Sequence, residues 1–179
     1  MSRLFYCSQF WVNRGVAGMR DWQKFKTFKE RGEWVELQFM AAAALHGYRV
    51  LKPWGDSFEY DIAIEHGGDI VRVQVKGSSA RKGGGYLCRL RRGGSGKQRY
   101  DPDEVDLFAV YVIPMQAWYL IPIAAVLHPT PKMNLRFYPV APPRPGRHDE
   151  EHDYEPYREA WASLAKTRKE LCQPGRSPK

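Results

Sequence analysis

An acid, an amide and an amine lie close to one another in a short stretch of this sequence. Asp61 is followed thirteen residues later by Gln74, and Lys76 comes two residues after that. Carboxylate and amide oxygens are hard ligands of the kind that Mg²⁺ accepts, and a lysine ammonium stabilises negative charge on a phosphate. Together the three side chains suit metal-assisted chemistry on a phosphodiester, provided that the chain brings them to one surface.

A hairpin would bring them together. Residues 58–65 and 69–76 alternate in polarity as strands do, and Gly67 and Gly68 lie at the centre of the short connection. Glycine suits both central positions of the favoured two-residue turn, because each requires a positive φ. This turn fixes the register, so that facing residues have numbers summing to 135.

The register separates an apolar face from a polar one. The pairs expected on the apolar face are Ile62 with Val73, Ile64 with Val71, and Tyr60 with Val75. On the other face Asp61 lies directly across from Gln74, and Lys76 faces Glu59 beside them. Opposed Cβ atoms on a strand pair lie only about 5 Å apart. The sequence therefore predicts a polar cluster on a ribbon whose other side is core.

In such a cluster Asp61 would be the principal ligand of Mg²⁺, and Mn²⁺ would substitute for it. Gln74 and the carbonyl of Val75 would add neutral oxygens. Lys76 would position or deprotonate the attacking water, or stabilise charge on the phosphate. Glu36 would complete the site from a helix, with Glu33 as the alternative. The simpler interpretation is a surface ion pair between Asp61 and Lys76, because an acid and a lysine at this spacing form a weak motif.

Gly32-x-x-x-Glu36, followed by Asp61 and then Gln74-x-Lys76, resembles the PD-(D/E)xK nuclease superfamily. The greatest similarity is to the branch with Gln in place of the second acid, as in group I intron-type homing endonucleases. The stretch 100–122, with Asp106 inside it, is also similar to that branch. The resemblance covers roughly residues 30–127. It implies Glu36, Asp61, Gln74 and Lys76 as the catalytic set and Mg²⁺ as the cofactor.

The composition of the chain limits the classes of molecule that it is expected to bind. The chain of 179 residues has a formal net charge of +8, which favours a polyanion such as nucleic acid. No apolar run approaches the ~20 residues of a membrane span, and the N-terminus lacks signal-peptide features. Cys7, Cys88 and Cys172 form no metal-binding pair and are expected to be free thiols in a reducing cytoplasm.

The segment 77–100 carries seven basic residues, no acid and many glycines. Because part of it alternates like a strand, we expect a basic face that contacts phosphates rather than a solvated loop. The candidate DNA-binding residues are Arg81, Lys82, Arg89, Arg91, Arg92, Lys97 and Arg99. The glycine-rich stretch 93–97 does not have the spacing of a phosphate-binding loop. Residues 148–153 are rich in metal ligands, but an acidic solvated arm is expected there.

The remaining elements follow from apolar patterns. A helix is predicted from Glu33 to His46, ended by Gly47 and buried on more than one face. Its predicted apolar stripe is Trp34, Leu37, Ala41, Ala44 and Leu45. Strands are predicted over 48–51, 86–91, 105–113 and 117–121, with a short helix from Pro122 to Leu127 and a last helix over 156–171. The expected divisions are an arm 1–29, a nuclease-type domain 30–138, a linker 139–155, a C-terminal helix 156–172 and a tail 173–179.

These elements predict an α/β fold in which helices flank a mixed sheet of restriction-endonuclease-like type, with an extra C-terminal helix. The leading function is a Mg²⁺-dependent DNA endonuclease. The alternatives are a catalytically inactive nucleic-acid-binding module of the same fold and a nuclease that resembles Holliday-junction resolvases. A homodimer or homotetramer is expected, since small nucleases that cut both strands often act as symmetric oligomers.

Overall fold

The structure is a computed structural model, and it describes residues 21–55, 57–82, 84–90, 100–127, 131, 133–138 and 154–173. Several sequence predictions lie outside these residues. They concern the N-terminal segment 1–20, the glycine-rich stretch 93–97, most of the linker and its acidic arm at 139–153, and most of the tail.

The long helix α1 spans Phe28–Leu45 and begins earlier than the predicted start at Glu33. The hydroxyl of Thr27 accepts a hydrogen bond from the N–H of Glu30 at 3.1 Å, and the Glu30 carboxylate accepts one from the N–H of Thr27 at 3.2 Å. This reciprocal cap satisfies two N–H groups at the helix start, and its sequence signal was overlooked. At the other end Gly47 has a φ of 84°, as expected of a glycine that follows a helix.

The buried face of α1 differs from the predicted one. Val35, Phe39 and Ala43 are buried, whereas Leu37 is 58% exposed and Leu45 is 89% exposed. The predicted stripe, and the expectation of burial on more than one face, are therefore wrong. Apolar residues occur on all sides of this helix, so their spacing does not mark one face. Contact with the sheet decides which of them are buried.

Within the described residues the chain forms eight strands: β1 Arg49–Leu51, β2 Ile62–His66, β3 Asp69–Ser78, β4 Arg81–Lys82, β5 Gly85–Arg89, β6 Leu107–Val112, β7 Ala117–Pro122 and β8 Asn134–Phe137. Five of them form a sheet in the order β1-β2-β3-β6-β7. Only β3 and β6 run parallel in it, and the other neighbours are antiparallel. The predicted α/β fold with a mixed sheet is confirmed.

Two layers cover this sheet. Helix α1 packs on the face that carries Val73 and Val75. The other face is covered by a second, antiparallel sheet in the order β4-β5-β8, and by the short helix α2, Ile123–Leu127. Strand β8 had no counterpart among the predicted elements, and its buried Leu135 and Phe137 help to fill this second core.

The hairpin of β2 and β3 has the predicted register over most of its length. Ile64 pairs with Val71 and Ile62 with Val73. The ladder ends there, although the predicted strand continued back to residue 58. Tyr60 therefore does not continue the apolar face opposite Val75, and it packs against the core on the other side of the sheet.

The C-terminal region is less helical than predicted. In place of one helix over 156–171, the chain forms 3₁₀ turns at Glu155–Tyr157 and Trp161–Ala165 and a short helix α3, Arg168–Cys172. Glu159 interrupts the helix with a φ of 50°, and its carboxylate accepts hydrogen bonds from the N–H of Trp118 at 2.7 Å and the indole of Trp161 at 2.9 Å. The bond to Trp118 on β7 and the bond to Trp161 together outweigh the local helical preference.

Two further expectations concern thiols and membranes. Cys88 and Cys172 are free, as predicted, and burial raises the pKa of the Cys88 thiol to about 12. Cys7 lies outside the described residues. Across the described part of the chain, no helix is both long enough and apolar enough to cross a membrane.

Candidate functional site

The carboxylate of Asp61 lies against β3 at the point where β2 leaves the ladder. Its Oδ2 accepts hydrogen bonds from the side-chain amide of Gln74 and, at 2.8 Å, from the backbone N–H of Val75. The side chain thus takes an N–H that a continuing β2 would otherwise have bonded. The predicted meeting of the acid and the carboxamide is present, and Gln74 is only 6% exposed.

The backbone of Val75 offers a further oxygen at the same edge. A strand residue directs its N–H and its C=O to the same side. Because the N–H of Val75 is bonded to Asp61, the carbonyl of Val75 also faces the edge that β2 has left. The neutral oxygen expected from the sequence therefore lies on the side of β3 where the acid is.

Lys76 lies on the same face of β3 as Gln74. Its Nζ is 5.5 Å from the centroid of the Tyr100 ring, which packs edge-on against Phe108 at 5.0 Å. Burial disfavours the ammonium, but Tyr100 and the Asp61 carboxylate together outweigh it, so the pKa of Lys76 is raised. The side chain is therefore a fixed cation beside the acid.

Glu36 reaches the neighbourhood of Asp61 from α1. Its carboxylate pairs with the ammonium of Lys52 at 2.5 Å, and the same ammonium donates to the backbone carbonyl of Asp61 at 3.1 Å. Glu36 also acts electrostatically on Asp61, raising its pKa. Glu33 lines the same cleft but is exposed, whereas the Glu36 carboxylate acts electrostatically on Asp61 and pairs with the lysine that is bonded to the Asp61 backbone. The structure thus favours Glu36 over Glu33 as the second acid.

A glycine sets the height of α1 above the sheet. A Cβ placed on Gly77 would lie 3.0 Å from Cγ2 of Val35, which is tighter than ordinary packing allows. The missing side chain lets α1 approach β3 immediately after Lys76. Since Glu36 follows Val35, this close contact determines where the helix acid lies relative to the strand residues.

The acids open onto a cleft of about 530 Å³. Its lining residues are Lys29, Gly32, Glu33, Glu36, Lys52, Pro53, Gly55, Phe58, Tyr60 and Asp61. Gln74 and Lys76 are not part of this lining, because they approach Asp61 from the opposite face of the sheet. Asp61 is therefore the residue at which the helix side and the strand side of the site meet.

Opposing effects act on the pKa of Asp61. Burial raises its pKa and Glu36 adds to the rise, whereas the N–H of Val75, Lys76 and Lys52 act against it, and the net direction is upward. Burying two acids near each other is costly unless cations share the region. Lys52 and Lys76 supply that positive charge, and Lys52 is a residue that the sequence analysis missed, because a single lysine after a short strand carries no distinguishing signal.

The donor set fits a hard divalent cation with few acidic ligands. Among the residues described here, no three His, Cys, Asp or Glu side chains converge as a metal cluster. The oxygens that could hold a cation are the carboxylates of Asp61 and Glu36, the amide oxygen of Gln74 and the carbonyl of Val75. Mg²⁺ accepts such a set because it keeps several waters and needs only one or two protein carboxylates.

Basic residues gather on the outer face of the second sheet. Its register places Arg136 opposite Leu87 and Arg89 two pairs further along, and Lys82, which pairs with Gly85, lies on the same face. Arg81, Lys82 and Arg89 are exposed as expected. Arg136 was missed because it lies outside the basic run. The remaining predicted residues, Arg91, Arg92, Lys97 and Arg99, fall outside the described part of the chain.

The second sheet is joined to the end of the strand that carries Lys76. The hydroxyl of Ser78 donates to the carbonyl of Leu87 at 2.9 Å, and the N–H of Leu87 donates to the carbonyl of Ala80 at 3.0 Å. The contacts join β5 to Ser78, the last residue of β3, and to Ala80 just after it, two and four residues beyond Lys76.

Comparison with known proteins agrees with this geometry. Residues 26–156 match the sequence model of a family described as PD-(D/E)XK endonuclease. Among solved structures, a bacterial homing endonuclease, I-Ssp6803I, is 25% identical and superposes with a TM-score of 0.64. The match covers 78% of this chain and 93% of that one. No curated protein sequence matches.

Proposed function

Because this chain belongs to the PD-(D/E)XK endonuclease family, we propose that it is a Mg²⁺-dependent endonuclease that hydrolyses phosphodiester bonds in DNA. In this proposal Asp61, Glu36, Gln74 and Lys76 are the catalytic residues. Asp61, Gln74, Glu36 and the carbonyl of Val75 would hold the metal, and Mn²⁺ would substitute for Mg²⁺. A homodimer or homotetramer and a cytoplasmic location remain predictions.

One observation carries the proposal. The carboxylate of Asp61 contacts the carboxamide of Gln74 while the acid of α1 and the cation of Lys76 lie on either side of it. A surface ion pair would not need a nearly buried amide, nor a second acid brought in by a helix that rests on a glycine. The combination supports a cation site next to a fixed ammonium.

Each residue of the proposed site has a separate role in the reaction. When bound, Mg²⁺ supplies Lewis-acid stabilisation of charge on the scissile phosphate and increases the acidity of nearby water. Asp61 and Glu36 supply the negative charge that retains the cation, and Gln74 contributes a neutral oxygen. Lys76 remains protonated, as its raised pKa favours, and stabilises the extra charge that develops on the phosphate. The hydrogen bond donated by the backbone N–H of Val75 keeps the Asp61 carboxylate oriented.

The test is cleavage by the purified full chain of supercoiled plasmid and of four-way branched DNA, each with and without Mg²⁺. The proposal expects nicked or linear plasmid only when Mg²⁺ is present. Salt-sensitive binding without cleavage would instead indicate the inactive binding module. A strong preference for the four-way substrate would indicate a nuclease of the junction-resolvase type.

Gln74→Glu is expected to retain cleavage and to raise the affinity for Mg²⁺. The change keeps the side chain's size and adds a carboxylate to a site that has only two nearby. The substitution also removes the hydrogen bond that the amide of Gln74 donates to Asp61. We therefore expect the added carboxylate to need bound Mg²⁺ to stabilise it beside Asp61. Titration of cleavage rate against Mg²⁺ measures the shift. Complete loss of cleavage at every Mg²⁺ concentration would show that the neutral amide is required.

Arg89→Ala combined with Arg136→Ala is expected to weaken DNA binding about equally for all sequences. Each lost phosphate contact should reduce the slope of log affinity against log salt by about 0.9, so the pair should reduce it by about 2. Fluorescence anisotropy with duplex DNA at several salt concentrations measures this. The charge-matched control is Arg49→Ala with Lys169→Ala, two exposed cations away from the second sheet. Equal slopes in both double variants would place the DNA elsewhere.

A further inference from the structure

A lysine ammonium lies between the helix acid and the strand acid of the cleft. Nζ of Lys52 is 2.5 Å from Oε2 of Glu36 and 3.1 Å from the backbone carbonyl oxygen of Asp61. Resting on the proposed function, we propose that Lys52 is an internal counter-ion. It occupies the cation site in the absence of a divalent metal and leaves that site when the metal binds.

The charges around the cleft support this role. The two carboxylates repel each other, and the Lys52 ammonium, in contact with the Glu36 carboxylate and the Asp61 backbone, offsets this repulsion. An ammonium in contact with Glu36 uses the oxygen that a divalent cation would need. Two cations cannot share these oxygens at close range without strong repulsion, so binding of one displaces the other.

The position of Lys52 in the fold allows such a displacement. The residue directly follows β1, and its side chain is 50% exposed in the wall of the cleft. A flexible four-carbon stem can therefore move the ammonium without a change in the backbone. By contrast, Lys76 is held on a central strand beside Tyr100 and lacks this freedom.

A displaced ammonium would remain in the cleft, where a phosphodiester oxygen of DNA is the anion available to it. Metal binding and DNA binding would then favour each other, because the DNA accepts the cation that the metal expels. Without DNA, Lys52 stays in contact with Glu36 and with the backbone carbonyl of Asp61, and it thereby lowers the affinity for metal. This coupling would lower the metal occupancy of the chain until its substrate is bound.

Binding of Mn²⁺ to the full chain without DNA tests the proposal, with free Mn²⁺ measured by electron paramagnetic resonance. Lys52→Met is expected to bind Mn²⁺ about five- to tenfold more tightly than the native chain, since the competing cation is gone. The matched control is Lys29→Met, which removes the same charge from a residue that lines the same cleft, where Lys29 makes no hydrogen bond or ion pair with Glu36 or Asp61. Its affinity should be unchanged.

An unchanged or weaker affinity in Lys52→Met would overturn the proposal, as would an equal rise in Lys29→Met, which would indicate a general charge effect. Thermal unfolding gives a second readout. The metal-free Lys52→Met chain should melt at a lower temperature than the metal-free native chain. Mn²⁺ should raise the melting temperature of Lys52→Met more than it raises that of the native chain. The experiment also distinguishes an error in this proposal from an error in the proposed metal site. If the metal site is wrong, Asp61→Ala will bind Mn²⁺ as tightly as the native chain does.

Discussion

Asp61→Asn is expected to lower the rate of Mg²⁺-dependent DNA cleavage by roughly a thousandfold or more. The substitution removes the negative charge at the junction of the helix side and the strand side of the site. Asparagine keeps a side-chain oxygen that can accept the N–H of Val75, so the strand edge should stay intact. Single-turnover cleavage of plasmid DNA measures the effect, and thermal unfolding checks the fold. Asp61→Ala should give the same loss of cleavage.

Asp69→Asn is the matched control, because it makes the same chemical change on the same hairpin at an exposed turn position. Its cleavage rate should stay within about twofold of the native rate, as expected of a surface substitution. A folded Asp61→Asn chain that still nicks plasmid at the native rate would remove Asp61 from the catalytic set and with it the metal site proposed here.

Asp106→Ala is expected to reduce the free energy of unfolding by about 3–5 kcal/mol, the cost of breaking a buried ion pair from one side. Asp106 is fully buried and accepts hydrogen bonds from the backbone N–H of Arg72 at 2.8 Å and from its guanidinium at 2.6 and 2.9 Å. The hydrogen bonds that Arg72 donates to the Asp106 carboxylate raise the pKa of Arg72, so the guanidinium stays charged and would be left without its acidic partner. Urea denaturation measures the loss.

Asp103→Ala is the control for this prediction. Asp103 pairs with Arg168 at 2.8 Å, but its side chain is 90% exposed, so its removal should cost less than about 1 kcal/mol. Replacing both Arg72 and Asp106 by apolar residues should destabilise the fold less than Asp106→Ala alone, because no charge is then left buried without a partner. Equal losses in the Asp103 and Asp106 variants would contradict a buried anchor at this position.

The anchor matters for the site because it joins β3 to β6 at the start of their parallel pairing. The N–H of Asp106 also donates to the carbonyl of Arg72 at 2.9 Å, one residue before Val73 pairs with Leu107. Gln74 and Lys76 follow at once on β3. The register of the parallel pair therefore helps to fix the two strand residues of the site. The sequence placed Asp106 within the stretch that resembles the family, but it did not identify Arg72 as the partner of Asp106.

The hairpin register was predictable because it is local. A two-glycine turn needs positive φ at both positions, and once the turn is set, alternation dictates which residues share a face. The pairing of Ile62 with Val73 and of Ile64 with Val71 follows, and so does the meeting of Asp61 with Gln74. Asp61 and Gln74 are also among the positions that carry the PD-(D/E)xK resemblance, which is confirmed by the family match.

The tertiary structure alone decided three other features. The ladder stops at Ile62 because the Asp61 side chain takes the N–H of Val75, a competition that alternation does not reveal. The face of α1 that is buried depends on how closely the helix approaches Gly77, since its apolar residues point in all directions. The contact of Lys52 with Glu36 joins residues sixteen positions apart on different elements. Local periodicity determines strands and turns, whereas contacts between elements depend on packing that no single segment encodes.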